Sequence, residues 1–93
     1  MNLPYILDSS RPKLAAGCRW GGTEESPVVL FPEGAIRVRG TGRKILELCD
    51  GTRSFSELVG RLQQLYTNAS PSQIREDAAL FLQQLHEKRI LDY

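Results

Sequence analysis

ILELCDGTRSFSEL, residues 45–58, ends one helix, makes a turn and begins a second helix within a single short stretch. The apolar residues at its start fit a short helix, and Gly51 supplies the left-handed backbone position at which helices commonly end. Ser54 and Glu57 have the spacing of a capping box, in which the Glu57 side chain accepts from the Ser54 backbone N–H. The stretch therefore predicts a corner between two helices, and it contains no catalytic group with an evident partner.

Strands are predicted before this corner, over residues 18–20, 28–31 and 35–39. The run at 28–31 is β-branched and aromatic, and a tight turn at Pro32-Glu33-Gly34 follows it. Residues 35–39 alternate apolar with basic, which is typical of a strand with one buried face. The last two strands are therefore expected to form a hairpin.

The rest of the chain has helical periodicity. Thr41 is expected to cap the first helix, which runs to about residue 49. Ser70 is expected to cap the third helix, with Pro71 at its first position and Gln73 closing a second capping box. Residues 89–93 either add a short terminal strand or simply pack their apolar side chains.

These elements predict an α+β fold that is winged helix-turn-helix-like, with a small N-terminal antiparallel three-stranded sheet followed by three helices. Residues 14–93 are expected to form a single domain, and residues 1–13 a flexible N-terminal tail. The tail carries an apolar patch of Leu3, Tyr5, Ile6 and Leu7. The alternative to a mobile tail is that this patch docks on a partner or on a second copy of the chain.

Composition excludes several classes of function. The net charge is +1, with 12 basic and 11 acidic residues, so there is no general attraction to nucleic acid or anionic lipid. The two cysteines, Cys18 and Cys49, and the single histidine, His86, lack the spacing of a metal site. No apolar run approaches the ~20 residues of a membrane span. We therefore expect a cytoplasmic protein with no cofactor, no metal and no membrane partner.

Catalysis is not predicted, because no nucleophile, acid or base has a second group to hold it and no glycine pattern matches a nucleotide cradle. The alternative function is a winged-helix DNA-binding regulator, whose recognition helix enters the major groove. Glu76 and Asp77 in the early turns of the third helix argue against that alternative, because phosphates repel carboxylates. The sequence therefore favours a protein that is not an enzyme and binds no nucleic acid.

The remaining class of function is peptide binding. If residues 35–39 lie at the sheet edge beside the third helix, their free N–H and C=O groups can accept an extended segment as an added strand. Arg37 and Arg39 would then deter pairing between copies and attract acidic side chains of a ligand. Leu80 lies off the main apolar stripe of the third helix, on the side of Asp77 and Gln84. Leu80 is either a lone exposed leucine or part of the groove.

The chain resembles the PqqD family, the peptide-recognition proteins of pyrroloquinoline quinone (PQQ) biosynthesis. The resemblance rests on RPKL (11–14), Gly17-x-Arg19, VLFPEGAIRV (29–38) and ILELCDGTRS (45–54), followed by Ile74-x-x-Asp77 and FLQQL (81–85). It covers roughly residues 11–93.

The resemblance implies a winged-helix-like protein that is not an enzyme. Such a protein binds the precursor peptide PqqA as an added strand and presents it to the radical SAM enzyme PqqE. Carried over to this chain, the expected peptide-binding residues are Ala35, Ile36, Arg37, Val38, Arg39, Arg75, Leu80, Phe81 and Gln84. Asp77 and the Asp50-Gly51 pair also match family motifs, and we expect structural roles for them, a helix–sheet contact and a helix terminus. The open edge and the apolar tail also predict that a homodimer can form without peptide.

Overall fold

The computed structural model describes residues 6–93, so Leu3 and Tyr5 of the predicted apolar patch lie outside the described residues. The element order is β1 (Lys13–Leu14), β2 (Arg19–Gly22), β3 (Pro27–Phe31), β4 (Gly34–Arg37), α1 (Gly40–Glu47), α2 (Phe55–Leu65), α3 (Pro71–Glu87) and β5 (Leu91–Asp92). The α+β class, the three helices and the antiparallel strand pairing are confirmed.

Two antiparallel sheets form in the described part of the chain. β2, β3 and β4 make a three-stranded sheet in that order, and β1 pairs with β5 in a second sheet of two strands. The β3–β4 hairpin turns at Pro32-Glu33, so that Phe31 faces Gly34 and Val29 faces Ile36. β4 ends at Arg37, earlier than the predicted residue 39, although the Val38 N–H still donates to the Pro27 carbonyl at 3.2 Å.

The helix corner follows the predicted capping chemistry. Ser54 caps α2, and both hydrogen bonds of the capping box with Glu57 are present, at 2.8 and 3.1 Å. α1 ends at Glu47 rather than near residue 49. Gly51 has the predicted left-handed φ of 83°, but it lies in the following turn rather than at the helix end.

Asp50 organises that turn. Its carboxylate accepts from the Thr52 N–H at 2.9 Å and the Arg53 N–H at 3.1 Å, and from the Thr52 hydroxyl at 2.9 Å. The backbone hydrogen bond from Thr52 is the main reason that the pKa of Asp50 falls to about 2. The ionised carboxylate of Asp50 thus accepts hydrogen bonds from the backbone N–H groups of the turn that follows α1.

A segment that we call the N-terminal strap, residues 6–12, lies against this corner. Its carbonyls accept from the first N–H groups of α2, Phe55 N–H to Ser10 at 2.7 Å and Ser56 N–H to Asp8 at 3.1 Å. The Gly51 N–H donates to the Pro12 carbonyl at 3.0 Å. Residues 6–12 are therefore held on the domain in this structure, whereas the predicted flexibility of residues 1–13 stays a prediction.

Two helix starts differ from the sequence prediction. Arg39, not Thr41, is the N-cap of α1, and Gly40 enters the helix with a φ of 55°. Ser70 does precede α3, but it makes no side-chain capping bond, and its hydroxyl lies 3.1 Å from that of Ser72. The predicted second capping box is wrong because Gln73 donates to the Asp77 carboxylate at 2.8 Å instead.

One apolar core joins the sheet to the helices. α2 and α3 bury their apolar faces against each other and against Val29 of the sheet, and Ile90 and Leu91 close the core at the end of the chain. The buried set is Ile6, Val29, Val38, Ile45, Leu46, Cys49, Phe55, Leu58, Val59, Leu62, Ala78, Leu82, Leu85, Ile90 and Leu91. Val38, directly after β4, and Ile45, in the second half of α1, belong to this core, so β4 and α1 are both fixed relative to α3.

The capping box gives a first stability prediction. Ser54→Ala removes the acceptor for the Glu57 N–H and should lower the free energy of unfolding by about 1 kcal/mol, measured by urea denaturation. Ser56→Ala is the matched control, because Ser56 is exposed and its hydroxyl makes no hydrogen bond among residues 6–93. Equal decreases in the free energy of unfolding of the two variants would show that the Ser54 cap does not stabilise the corner.

The Asp50 turn gives a prediction on pH. Because folding lowers the pKa of Asp50 from 3.8 to about 2, its contribution is present above pH 3.8 and is lost as the pH falls toward 2. Asp50→Asn should therefore be less stable than the wild type near neutral pH, with the difference shrinking between pH 4 and pH 2. Thermal unfolding across that range measures it, and a difference independent of pH would contradict the assignment.

Candidate functional site

β4 forms an edge of the three-stranded sheet, and nothing in residues 6–93 pairs with its outer side. The Val38 N–H points inward to Pro27, and the inward and outward directions alternate along an antiparallel strand. Gly34, Ile36 and Val38 therefore pair with β3, while the N–H and C=O groups of Ala35 and Arg37 face outward. These outward groups are free to pair with another extended chain.

An open groove of about 460 Å³ runs along this edge. β4 and the residues after it form one side of the groove, the first turns of α1 form its end, and α3 forms the other side. It is lined by Ile36, Arg37, Val38, Arg39, Thr41, Gly42, Ile45, Asp77 and Phe81. The unpaired main chain of β4 thus lies beside a concave surface.

The interior of the groove is apolar. Val38 and Ile45 are each 4% exposed, and Ile36 and Phe81 are half-buried beside them. This combination suits the side chain of an added strand, because alternate residues of such a strand point to the same face of the sheet. The groove can therefore bury an apolar side chain while the main chain pairs with β4.

The rim of the groove is charged on both sides. Arg37 and Arg39 are exposed on the β4 side and form no ion pair among the described residues. Asp77 is exposed on the α3 side, where it accepts only the hydrogen bond from Gln73. A bound segment therefore meets two guanidinium groups on one side and a carboxylate on the other.

The structure brings together most of the expected residues. Ile36, Arg37, Val38, Arg39 and Phe81 line the groove, and Ala35 lies on the same strand with outward main-chain groups. Leu80, with 57% of its surface exposed, and Gln84 lie on the solvent side of α3 and do not line the groove.

Arg75 lies in a different place. Its guanidinium forms an ion pair with Asp8 of the N-terminal strap and lies 5.2 Å from the ring centre of Phe55. At 100° a residue, Arg75 and Asp77 are separated by roughly 160° around α3. Arg75 thus holds the strap and does not reach the groove.

Four groove residues were not among the expected peptide-binding residues: Thr41, Gly42, Ile45 and Asp77. For Asp77 the sequence did contain a signal, because it lies four positions before Phe81 and shares its helix face. Its expected role was a helix–sheet contact, but its carboxylate contacts Gln73 of the same helix and lines the groove. Gly42 has no side chain, so no pattern in the sequence could assign it.

The opposite sheet edge, β2, is less suited to a ligand. The concave surface beside it is lined by Trp20, Gly21, Gly22, Thr23, Glu24, Pro27, Arg43 and Glu47. Arg43 and Glu47 pair with each other at 3.0 Å, and Arg43 also donates to the Glu24 carbonyl at 3.0 Å. Polar groups that already have partners border this surface, whereas the β4 groove has an apolar interior.

Other chemistry has little support within residues 6–93. No three His, Cys, Asp or Glu side chains are placed to hold a metal ion. Burial raises the pKa of Cys49 to about 12, so its thiol stays protonated. None of the helices is both long and apolar enough to span a membrane.

Comparison with known proteins identifies the family. The family model described as "Coenzyme PQQ synthesis protein D (PqqD)" matches residues 27–91, which include the hairpin and all three helices. The chain belongs to the PqqD family.

Two relatives named "PqqA binding protein" agree with that placement. The one from Rhodopseudomonas palustris strain BisB5 is 35% identical over 88 residues, covering 92% of this chain and 85% of the relative. The one from Kluyvera intermedia is 32% identical over 86 residues, covering 90% of this chain and 91% of the relative.

A solved PqqD-family structure has the same fold. The solution NMR structure of the PqqD truncation of Methylobacterium extorquens PqqCD aligns over 100% of both chains, with a TM-score of 0.79 and 29% sequence identity. That protein represents a functional, stand-alone recognition element for ribosomally synthesized and post-translationally modified peptides.

The alternation along β4 predicts a pattern of amide exchange in this PqqD-family chain. The N–H groups of Ile36 and Val38 should exchange slowly because they pair with β3, and those of Ala35 and Arg37 should exchange quickly. Hydrogen–deuterium exchange followed by NMR measures all four amides in the free protein. Slow exchange at Arg37 would mean that the outer side of β4 is already occupied.

Proposed function

We propose that this chain is a peptide chaperone that binds the PqqA precursor peptide by strand addition to β4. The observation that carries the proposal is the unpaired main chain of Ala35 and Arg37 beside the apolar groove. The family assignment, the relatives named for PqqA binding and the recognition element of the same fold support the choice of ligand.

Main-chain pairing would supply affinity and the groove would supply selectivity. Each outward N–H and C=O of β4 can exchange a hydrogen bond with the peptide backbone, and a side chain of the peptide can enter the groove against Phe81. A micromolar complex corresponds to about 8 kcal/mol. Several strand hydrogen bonds and one or two buried side chains can provide that amount.

The charges at the rim would select the flanks of the peptide. Arg37 and Arg39 favour acidic side chains on the β4 side, since neither has a partner among residues 6–93. These pairs would be solvent-exposed, so their contribution should fall as salt is added.

The contribution to PQQ biosynthesis is positional in this proposal. A peptide held on β4 reaches the radical SAM enzyme PqqE at a raised effective concentration and with less orientational entropy to lose. The chain itself then needs no catalytic group and no cofactor. We place this role in the cytoplasm, in a winged-helix-like module whose β3–β4 hairpin and α3 serve peptide rather than DNA.

DNA binding, the alternative function, has less support. Arg75 in the early part of α3 is already paired with Asp8, and Glu76 and Asp77 beside it are exposed carboxylates. A gel-shift titration with random duplex at several salt concentrations tests this alternative, because phosphate-driven binding weakens steeply with salt. Such a shift without any response to peptide would favour the DNA-binding function.

A homodimer in the absence of peptide stays part of the proposal, because the open β4 edge can also pair with a second copy. Light scattering with and without peptide tests it. If β4 forms that interface, peptide should dissociate the dimer.

The main-chain mechanism predicts the effect of a proline. Arg37→Pro removes the outward N–H and should weaken PqqA binding about tenfold or more, roughly 1.4 kcal/mol, in isothermal titration calorimetry. Arg37→Ala is the matched control, because it removes the guanidinium and keeps the N–H. Arg37→Ala should lose less affinity for the peptide than Arg37→Pro, and that loss should become smaller as salt is added.

The comparison of these two variants decides the mechanism. A folded Arg37→Pro protein that binds as tightly as Arg37→Ala would exclude pairing through this N–H. Circular dichroism and the Tm establish that both variants are folded.

A further inference from the structure

Gly42 lies in the first turn of α1 and faces the ring of Phe81 on α3. A methyl group on Gly42 would lie 3.2 Å from Cζ and 3.4 Å from Cε1 of that ring. Favourable contacts between carbon atoms begin at about 3.5 Å. An alanine at position 42 would therefore require the Phe81 ring to move by a few tenths of an ångström.

The backbone of Gly42 does not itself call for glycine. The glycines with left-handed or otherwise positive φ are Gly17, Gly22, Gly34, Gly40 and Gly51, and Gly42 is not among them. Within a helix, glycine is the least favourable residue after proline. The three nearest atoms that a methyl group at position 42 would meet all belong to the Phe81 ring, so it is this ring that disfavours a side chain there.

A displaced Phe81 ring would move into the groove. The α3 neighbours on its inner side, Ala78 and Leu82, have no exposed surface and belong to the closely packed core. The groove is the open side of the ring, and both Gly42 and Phe81 line it. Bulk at position 42 would therefore reduce the volume available to a ligand.

We infer that Gly42 is a positioning residue that sets the size of the peptide side chain that the groove admits. It does so by letting the Phe81 ring lie against α1, which leaves room for one large apolar side chain of the added strand. The inference rests on the proposed function in one respect, that a peptide strand on β4 is the occupant. It goes beyond it by assigning to Gly42, through its contact with Phe81, the limit on how large that peptide side chain can be.

Gly42→Ala tests the inference, with Gly60→Ala as the matched control. Gly60 lies in the middle of α2, and a methyl group there would meet no atom within 4 Å. Both changes improve helix propensity, so neither should lower the Tm through its helix. Gly42→Ala should bind the PqqA peptide about tenfold more weakly, which is the scale of one misplaced methyl group in an apolar pocket, and Gly60→Ala should bind like the wild type.

A double variant and an alanine scan of the peptide separate positioning from a general structural effect. In a Phe81→Leu background the smaller side chain leaves space for the methyl group, so adding Gly42→Ala should cost little further affinity. Alanine replacement of the large apolar peptide residue at the groove should weaken binding to the wild type more than to Gly42→Ala. The inference would be overturned if Gly42→Ala weakened binding equally in the wild-type and Phe81→Leu proteins. It would also be overturned if the peptide replacement weakened binding equally to the wild type and to Gly42→Ala.

A readout without peptide tests the geometry directly. NMR of the free wild type should show contacts between the Gly42 α-protons and the Phe81 ring protons, and Gly42→Ala should shift the ring resonances. Unchanged ring resonances, or Gly42→Ala binding as tightly as Gly60→Ala, would overturn the inference while leaving the proposed function intact. Failure of the wild type to bind PqqA would overturn both.

Discussion

The hydrogen bonds between β3 and β4 use only one side of β4, and the proposed mechanism depends on that half-paired strand. The register fixes which groups are used, because the two-residue connection at Pro32-Glu33 sets Phe31 against Gly34 and Val29 against Ile36. The main chain of Ala35 and Arg37 is then directed outward. An unpaired strand edge of this kind invites another chain, and exposed charged side chains such as Arg37 reduce pairing with identical copies.

The rest of the fold places a groove beside that edge and keeps it open. Val38, directly after β4, and Ile45 of α1 are buried in the common core, so β4 and α1 are both held against α3. On the far side of α3, Arg75 pairs with Asp8, and the N-terminal strap supplies carbonyls to the first N–H groups of α2. These contacts of the strap lie away from the groove, which leaves Phe81 and Asp77 beside the open edge for a ligand.

Much of the local chemistry was predictable from the sequence, apart from the caps of α1 and α3, and contacts between distant segments were not. The Ser54–Glu57 box, the hairpin around Pro32-Glu33 and the start of α3 at Pro71 all depend on residues within a few positions of each other. The strap contacts the corner before α2, far along the sequence, and the β1–β5 pair joins strands near the two ends of the chain; no periodicity predicts such contacts. Likewise, the expectation for Arg75 failed to anticipate its pairing with Asp8, and Gly42 has meaning only beside Phe81. The strand side of the site was therefore predictable from alternation, whereas the helix side needed the packed structure.

The central claim is that a peptide becomes the next strand beyond β4. The most direct measurement is an isotope-filtered NMR experiment on the labelled protein bound to unlabelled PqqA peptide, which detects contacts between peptide and protein backbone protons. The account predicts cross-strand contacts from the peptide backbone to Ala35 and Arg37, together with contacts from one peptide side chain to the Phe81 ring. Peptide contacts confined to β2 around Trp20, or to the solvent face of α3 without any to β4, would contradict it.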